Sequence, residues 1–442
     1  MIPFLPDTET DREEMLRAIN VSGLEALLSN IPDELKLRED LPLPEPLSEV
    51  EILSHLAALA RKNADVSSHT CFLGGGAYDH FIPSAISTIV SRSEFLTAYT
   101  PYQAEVSQGT LQAIYEYQTM VARLFRMDVA NASMYDAASA LAEAVRLAKE
   151  VTRRNRVVVA GAINPSYSSV LRTVAGASGV EFQNAEMHGG VADVSSVQSL
   201  MNDEVAAVVV QHPNYYGCLE EVRELSNLAH EHGALFVVCV DPISLGLLEP
   251  PGAYNADIAV GEGQPLGIPL SFGGPYLGLF CATEKLVRKI PGRLSGMTVD
   301  KEGNRGFTLT LQTREQQIRR AKATSNICTN QGLMMLCSTV YMALMGKTGI
   351  QEVARLVTQK THYLAEKISG LRGYELMFDK PFFREFVVKT PMHSNILVET
   401  MADKGFLLGP ASVFEDHGLL VAVTEKRNRQ EIDALVEALA RV

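Results

Sequence analysis

Apolar and polar positions change rhythm twice along the chain. The first stretch has a helical period. "DTETDREEMLRAINV" offers Asp7, Thr8 or Thr10 as caps, then acidic residues in the first turn and apolar positions at helical spacing. "LSEVEILSHLAALARKNA" repeats the pattern with Ser48 as its cap, and the Pro-rich "LPLPEPLS" before it predicts an extended linker. From about Val157 to Thr283 short apolar runs take over: "VVVAGAI", "AAVVVQHP", "LFVVCVD", "DIAVGEG" and "LGLFCAT". They are apolar throughout rather than alternating. Helical patterns separate them, the clearest being "CLEEVRELSNLAHEHG", which ends at Gly233. Such strands predict a parallel sheet covered on both faces, with ligands bound at the carboxyl ends of the strands. The C-terminal stretch mixes a long helix, "GIQEVARLVTQKTHYLAEKISGL", with "YELMFDKPFFREFVVKT", a helix near "HSNILVETMADKG", a strand "GLLVAVTE" and a last helix "RQEIDALVEALARV". The predicted organisation is a helical arm over 1–70, a large α/β domain over 71–335 and a small α/β domain over 336–442.

Composition narrows the function classes. A chain of 442 residues with 46% hydrophobic content is ample for a large core and for two or three domains. A net charge of −13 disfavours nucleic acid, which needs clustered Lys and Arg. The short basic cluster Arg319, Arg320 and Lys322 reads as a solvated helix face. None of the six cysteines forms a CxxC pair, which predicts reduced thiols in a cytoplasmic protein and no zinc site. No basic segment leads into an apolar stretch at "MIPFLPDTETDREEML", and no uninterrupted apolar window of spanning length is evident, so neither a targeting peptide nor a membrane partner is expected.

The arrangement of arm, large domain and small domain is shared by many pyridoxal-phosphate (PLP) enzymes, and the sequence can be questioned on each part of such a site. Asp241 ends the run "ALFVVCVD", where those enzymes place a carboxylate against the pyridinium nitrogen; an Asp that caps the strand end is the plainer alternative. A helix begins near Asp136 or Ala137, at the usual phosphate seat, but Ser133 and Asp136 supply caps and an acidic group there repels phosphate. No lysine occurs from Glu150 to Glu284, so the anchoring amine is missing, and "GEGQP" stands where it belongs. Lys285 opens "EKLVRKI" and reads as a surface helix residue. Three successive glycines at 74–76 in "FLGGGAYDHFIPS" predict a close backbone approach, and His80 beside them reads as structural. "AYTPYQAEVSQGTLQ" gathers tyrosines and amides suited to a polar pocket or an interface. "TLTLQTREQQIRRAKATSNICTNQG" reads either as a charged helix ending in a capped turn or as a loop reaching an anionic ligand across a subunit boundary.

Seven stretches carry a resemblance: "GGGAYDHFIP", "YTPYQAEVSQGTLQ", "YQTMVARL", "ANASMYDAASALAEA", "NADIAVGEGQPLG", "SFGGPYLG" and "LQTREQQIRRAKATSNICTNQ". Over nearly its whole length the chain resembles the first of two subunits of the glycine cleavage system P-protein family, the decarboxylating glycine dehydrogenases. The resemblance implies a PLP-dependent transferase-like α/β fold of the aminotransferase type (fold type I), with a large parallel or mixed sheet. It implies decarboxylation of glycine and transfer of the aminomethyl group to the lipoylated H-protein. It also implies an α2β2 heterotetramer with glycine dehydrogenase subunit 2, which holds PLP covalently. The residues expected to enter that partner's active site are Tyr99, Thr100, Tyr102 and Gln103; Thr324, Ser325 and Asn326 are expected on the phosphate side of its cofactor. Rival expectations are a purely stabilising partner and a self-sufficient PLP enzyme; the lysine-free sheet opposes the latter.

Overall fold

The computed structural model describes residues 8–37, 39 and 41–442. By its contacts the chain divides into two units, Met1–Asn63 and Ala64–Val442. In the first, Thr8 caps the helix Glu9–Ala18 and Ser48 caps the helix Glu49–Ala60, each through a reciprocal capping box. Asp7, another cap considered, lies outside the described residues. Residues 41–48 carry no regular secondary structure, in keeping with their prolines.

The second unit is built on a seven-stranded sheet. Its strands are β1 (Val129–Ala130), β2 (Arg156–Ala160), β3 (Glu181–Asn184), β4 (Val205–His212), β5 (Leu235–Val240), β6 (Ile258–Glu262) and β7 (Gly278–Ala282). They lie in the order β1-β7-β6-β5-β4-β2-β3. From β3 to β6 the neighbours run parallel, whereas β7 is antiparallel to both β6 and β1. The sheet is therefore mixed, because β7 returns through a loop, not a crossover helix.

Alternate residues of each strand enter opposite cores. Val158, Val208, Val210, Val238 and Val240 pack on one face, with the helices Gln108–Phe125 and Val222–Glu231. Val157, Val159, Val209, Val237 and Val260 pack on the other, with the helices Ala137–Thr152 and Pro165–Gly176. Fully burying such a side chain is worth roughly 1.5–3 kcal/mol, which is why runs apolar on both sides are stable only inside a covered sheet.

The helical run Gly332–Ser369 is broken at Gly346, whose backbone is non-helical at φ 56° and ψ −169°. No apolar window of spanning length is expected from the sequence; this run nevertheless contains an 18-residue window of mean hydropathy 1.3, long and apolar enough to span a membrane. Met335, Leu336, Tyr341 and Val353 of this run are buried in the protein core, whereas Leu344 is 52% exposed. Beyond it, Glu375–Leu376, Glu385–Lys389 and Gly418–Ala422 form an antiparallel three-stranded sheet, with the helices Ser394–Asp403 and Arg429–Leu439. Thr70–Leu73 pairs in parallel with Phe406–Gly409, so the chain just after Asn63 is stitched to its distal end. Lys285 lies exposed in a short 3-10 helix, Glu284–Leu286, where the sequence predicts a surface helix.

Candidate functional site

The carboxyl ends of β4, β5 and β6 open on a cavity of about 40 Å³, bordered by Tyr78, Tyr167, Asp241, Glu262, Arg384 and Glu385. That volume accommodates a few waters and no aromatic ring. Asp241 follows β5; its Oδ1 accepts from the Ile243 N–H at 3.0 Å and is paired with Arg384, whose side chain is 2% exposed. The carboxylate thus caps its own strand end and is neutralised within the chain. Arg384 also lies 4.1 Å from the ring centroid of Tyr78, and its Nη1 donates to His80 Nε2 at 2.7 Å. A guanidinium has only donors, so Nε2 is the acceptor and His80 Nδ1–H donates to Glu425 at 2.6 Å. Both nitrogens of His80 are engaged, as its structural reading requires.

Glu385, next in sequence, accepts from the Gly75 N–H at 2.6 Å and the Tyr78 O–H at 3.0 Å. Burial pushes its carboxyl up to about 7. A Cβ on Gly74 would stand 2.4 Å from Glu385 Oε1, and Gly75 and Gly76 have φ of 81° and 114°. The close approach predicted by the three glycines is made, and it is to this chain's own carboxylate.

The helix N-terminus is filled in the same way. Asp136 caps the helix Ala137–Thr152 in a box with Ser139. Glu262, which ends β6, accepts from the N–H groups of Ala137, Gln264 and Leu277, each at 3.1 Å. The positive end of the helix dipole, a natural phosphate seat, already faces a carboxyl group. Burial pushes that carboxyl up to about 8 despite three N–H donors. Gln264 accepts from the Tyr78 N–H at 2.8 Å and donates to the carbonyls of Tyr78 and Ile268 at 2.9 and 2.8 Å. Pro265 then lines the cavity, and no lysine does. With the aspartate, the phosphate seat and the amine position all occupied by this chain's own groups, these residues do not fit pyridoxal phosphate.

The residues singled out from sequence lie elsewhere. Tyr99 is 84% exposed and Tyr102 52%; Gln103 and Asn326 are exposed, Thr100 and Thr324 half-buried, and Ser325 buried. None of them lines the cavity at the strand ends. Arg293 links the first group to the stretch just after the second: it donates to the Tyr102 hydroxyl at 3.1 Å and to the Cys328 carbonyl. Tyr99 and Thr100 share a second cavity, of about 190 Å³, with Thr329 and Asn330. Ser325 Oγ accepts from the Ile327 N–H at 3.1 Å. The single charged helix considered for this region is instead the strand Arg305–Thr310, a 3-10 turn Gln312–Arg314, the short helix Gln316–Arg319 and another turn, Arg320–Lys322. Sequence reasoning missed Arg293, Arg384, Glu385 and the role of Glu262. The signal for Arg384 and Glu385 was the pair of charges inside the apolar run "FFREFVVKT"; for Glu262 it was an acid ending an apolar strand. Among the described residues no cluster of three or more His, Cys, Asp or Glu side chains is arranged to hold a metal ion.

Comparison with known proteins places this geometry. The model of the family "Glycine cleavage system P-protein" matches residues 3–439. A protein of Prosthecochloris aestuarii described as a probable glycine dehydrogenase (decarboxylating) subunit 1 is 58% identical, over 100% of both chains. A crystal structure of glycine decarboxylase (P-protein) of the glycine cleavage system, in inhibitor-bound form, superposes with a TM-score of 0.93 at 44% identity, over 100% of both chains. The sphingosine-1-phosphate lyase of Burkholderia pseudomallei, at 14% identity and TM-score 0.67 over 92% of both chains, shares the fold alone. The fold is that of the type I PLP-dependent enzymes, and the chain belongs to the glycine cleavage system P-protein family.

Proposed function

We propose that this chain is the subunit of a two-subunit glycine dehydrogenase (decarboxylating) that does not anchor the cofactor. It works with a second subunit that holds PLP covalently, and the pair decarboxylates glycine and delivers the aminomethyl group to the lipoyl group of H-protein. The cofactor supplies the electron sink for loss of carbon dioxide. The contribution of this chain is surface and side chains. Tyr99, Thr100, Tyr102 and Gln103 offer hydroxyl and amide groups to the partner's substrate and lipoyl path, and Thr324, Ser325 and Asn326 offer donors on the phosphate side.

The observation that carries this reading is the contrast between two regions. The pocket at the strand ends is filled by Glu262, Gln264, Asp241 and Arg384, while the "YTPYQ" loop, with Tyr99 and Tyr102 exposed, is linked through Arg293 to Cys328, two residues beyond "KATSN". The name "subunit 1" carried by the Prosthecochloris relative supports a second subunit. Free thiols, with Cys328 exposed, favour a reducing compartment such as the cytoplasm.

The test is to reduce the chain with borohydride in the presence of PLP, alone and with its partner, and to map pyridoxyl-lysine by mass spectrometry. Label on the partner only is the expected result; a stoichiometric label at Lys285 or Lys322 of this chain overturns the reading. Tyr102→Ala and Asn326→Ala are each expected to lower decarboxylation at least about tenfold, with assembly intact. Unchanged rates in both would leave this chain a stabilising partner only.

A further inference from the structure

The "YTPYQ" loop and the "ICTNQ" end of the 324–330 loop are far apart in sequence and are joined by one side chain. Arg293 is 5% exposed, while Tyr102 is 52% exposed. Its Nη2 donates to the Tyr102 hydroxyl at 3.1 Å and to the carbonyl of Cys328. The guanidinium carbon lies 5.4 Å from the centroid of the Tyr102 ring. Nε has no hydrogen-bond partner, and the Glu315 carboxylate stands 4.0 Å from it. The backbone that carries this side chain is held on every side. Arg314 donates to the carbonyls of Ile290, Gly292 and Leu311, Asn131 donates to the Pro291 carbonyl at 3.0 Å, and the Ala132 N–H donates to the Arg293 carbonyl at 2.8 Å. The far end of the second loop is tied to the same base: Asn330 Nδ2 donates to Ser133 Oγ at 2.9 Å.

We propose that Arg293 is a positioning residue that holds the 99–103 loop and the 324–330 loop in fixed register at the partner's active site. The proposal rests on the reading that these loops enter that site. An arginine suits the task for a geometric reason. The two hydrogens on one Nη2 diverge in a fixed plane and so can serve two acceptors at once, the Tyr102 hydroxyl and the Cys328 carbonyl. A lysine keeps the charge opposite Glu315 but lacks the fixed fork. A displacement of about 1 Å in groups that orient a substrate is enough to cost about a hundredfold in rate.

The test uses Arg293→Lys and Tyr102→Phe in the full chain, read in two ways. Amide hydrogen exchange on the chain alone reports whether the tie exists. Turnover of the chain assembled with its PLP-loaded partner and H-protein reports whether it matters. Arg293→Lys is expected to speed exchange in both loops together, at residues 98–103 and 326–330, and to lower kcat about ten- to a hundredfold with KM for glycine little changed. Tyr102→Phe is expected to act in the same direction and by less, and it carries the test should the buried substitution fail to fold. Unaltered exchange in both variants overturns the proposal. Faster exchange with normal kcat also overturns it, and leaves the loop reading standing if Asn326→Ala still slows turnover. If Asn326→Ala is silent too, the loop reading fails and this inference falls with it.

Discussion

Asp241 and Glu385 sit side by side around Arg384 and answer to different physics. Asp241 is the only acid paired directly with Arg384 among the described residues. Removing it leaves a guanidinium buried without its countercharge, and such a loss is worth about 3–5 kcal/mol. Asp241→Ala is therefore expected to lower the urea midpoint of the chain sharply. A mild effect would mean that the aspartate is held free for a ligand. Glu385 is shifted by burial from an ordinary 4.5 to about 7. The folded chain binds this proton more tightly than the unfolded chain, so the stability it contributes is full below about pH 4.5 and is lost as pH rises through 7. Glu262 and Glu220, raised to about 8 and about 7, add the same sign. Glu385→Gln keeps the Gly75 contact, and the Tyr78 hydroxyl can turn to accept from the new amide. The melting temperature of this variant is expected to fall less than that of the parent between about pH 5 and 8. Equal slopes by calorimetry would show that Glu385 does not titrate there. The strand-end cap at Asp241 was legible in the sequence; the shift at Glu385 was not, because a pKa depends on what packs around a group, and Glu385 meets Tyr78 only in the folded chain.

At the scale of elements, Gly217 shows how tightly the loop after β4 is laid on the strand Glu385–Lys389. It has φ of 83°, and a Cβ there would lie 1.9 Å from the Glu385 carbonyl oxygen. Gly217→Ala is expected to cost about 2–4 kcal/mol by chemical denaturation, and to loosen the Arg384 and Glu385 contacts with it. Asp136→Ala removes a capping box and is expected to cost about 1 kcal/mol. The strands β2, β4, β5, β6 and β7 were legible because each is an unbroken apolar run, and the Asp136 cap because it stands just before a helical period. The direction of β7 was not legible, since residues buried on both faces look alike in parallel and antiparallel strands. The hairpin Leu294–Val299 and Arg305–Thr310 was not read either, because its turn sits in a charged, exposed stretch without an apolar run.

On the scale of the whole molecule, the filled pocket and the exposed loops make opposite statements about where chemistry occurs. The isolated chain is expected to be silent in decarboxylation, and mixing it with its partner is expected to yield both activity and an assembly of two copies of each. Light scattering of the mixture checks the latter, and separate species would refute it. The loops in question were found in sequence as unusual concentrations of tyrosine, amide and hydroxyl. Their meeting was not, because Arg293 lies inside the unremarkable stretch "IPGRLSG" and acts on residues 191 and 35 positions away.

By itself the sequence determined the covered sheet, the capped helices, the lysine-free stretch Glu150–Glu284 and, through its motifs, the family. Those properties are local: a period, a cap or a residue type suffices to state them. Only the tertiary structure decided that Glu262 and not a phosphate faces the helix Ala137–Thr152, that Arg384 neutralises Asp241, and that the three glycines approach Glu385. It also decided that Tyr102 and Cys328 share one guanidinium. The physical reason is common to all four. A buried charge or an unpaired N–H must find a partner in space, and that partner is chosen by the packing of elements distant in sequence.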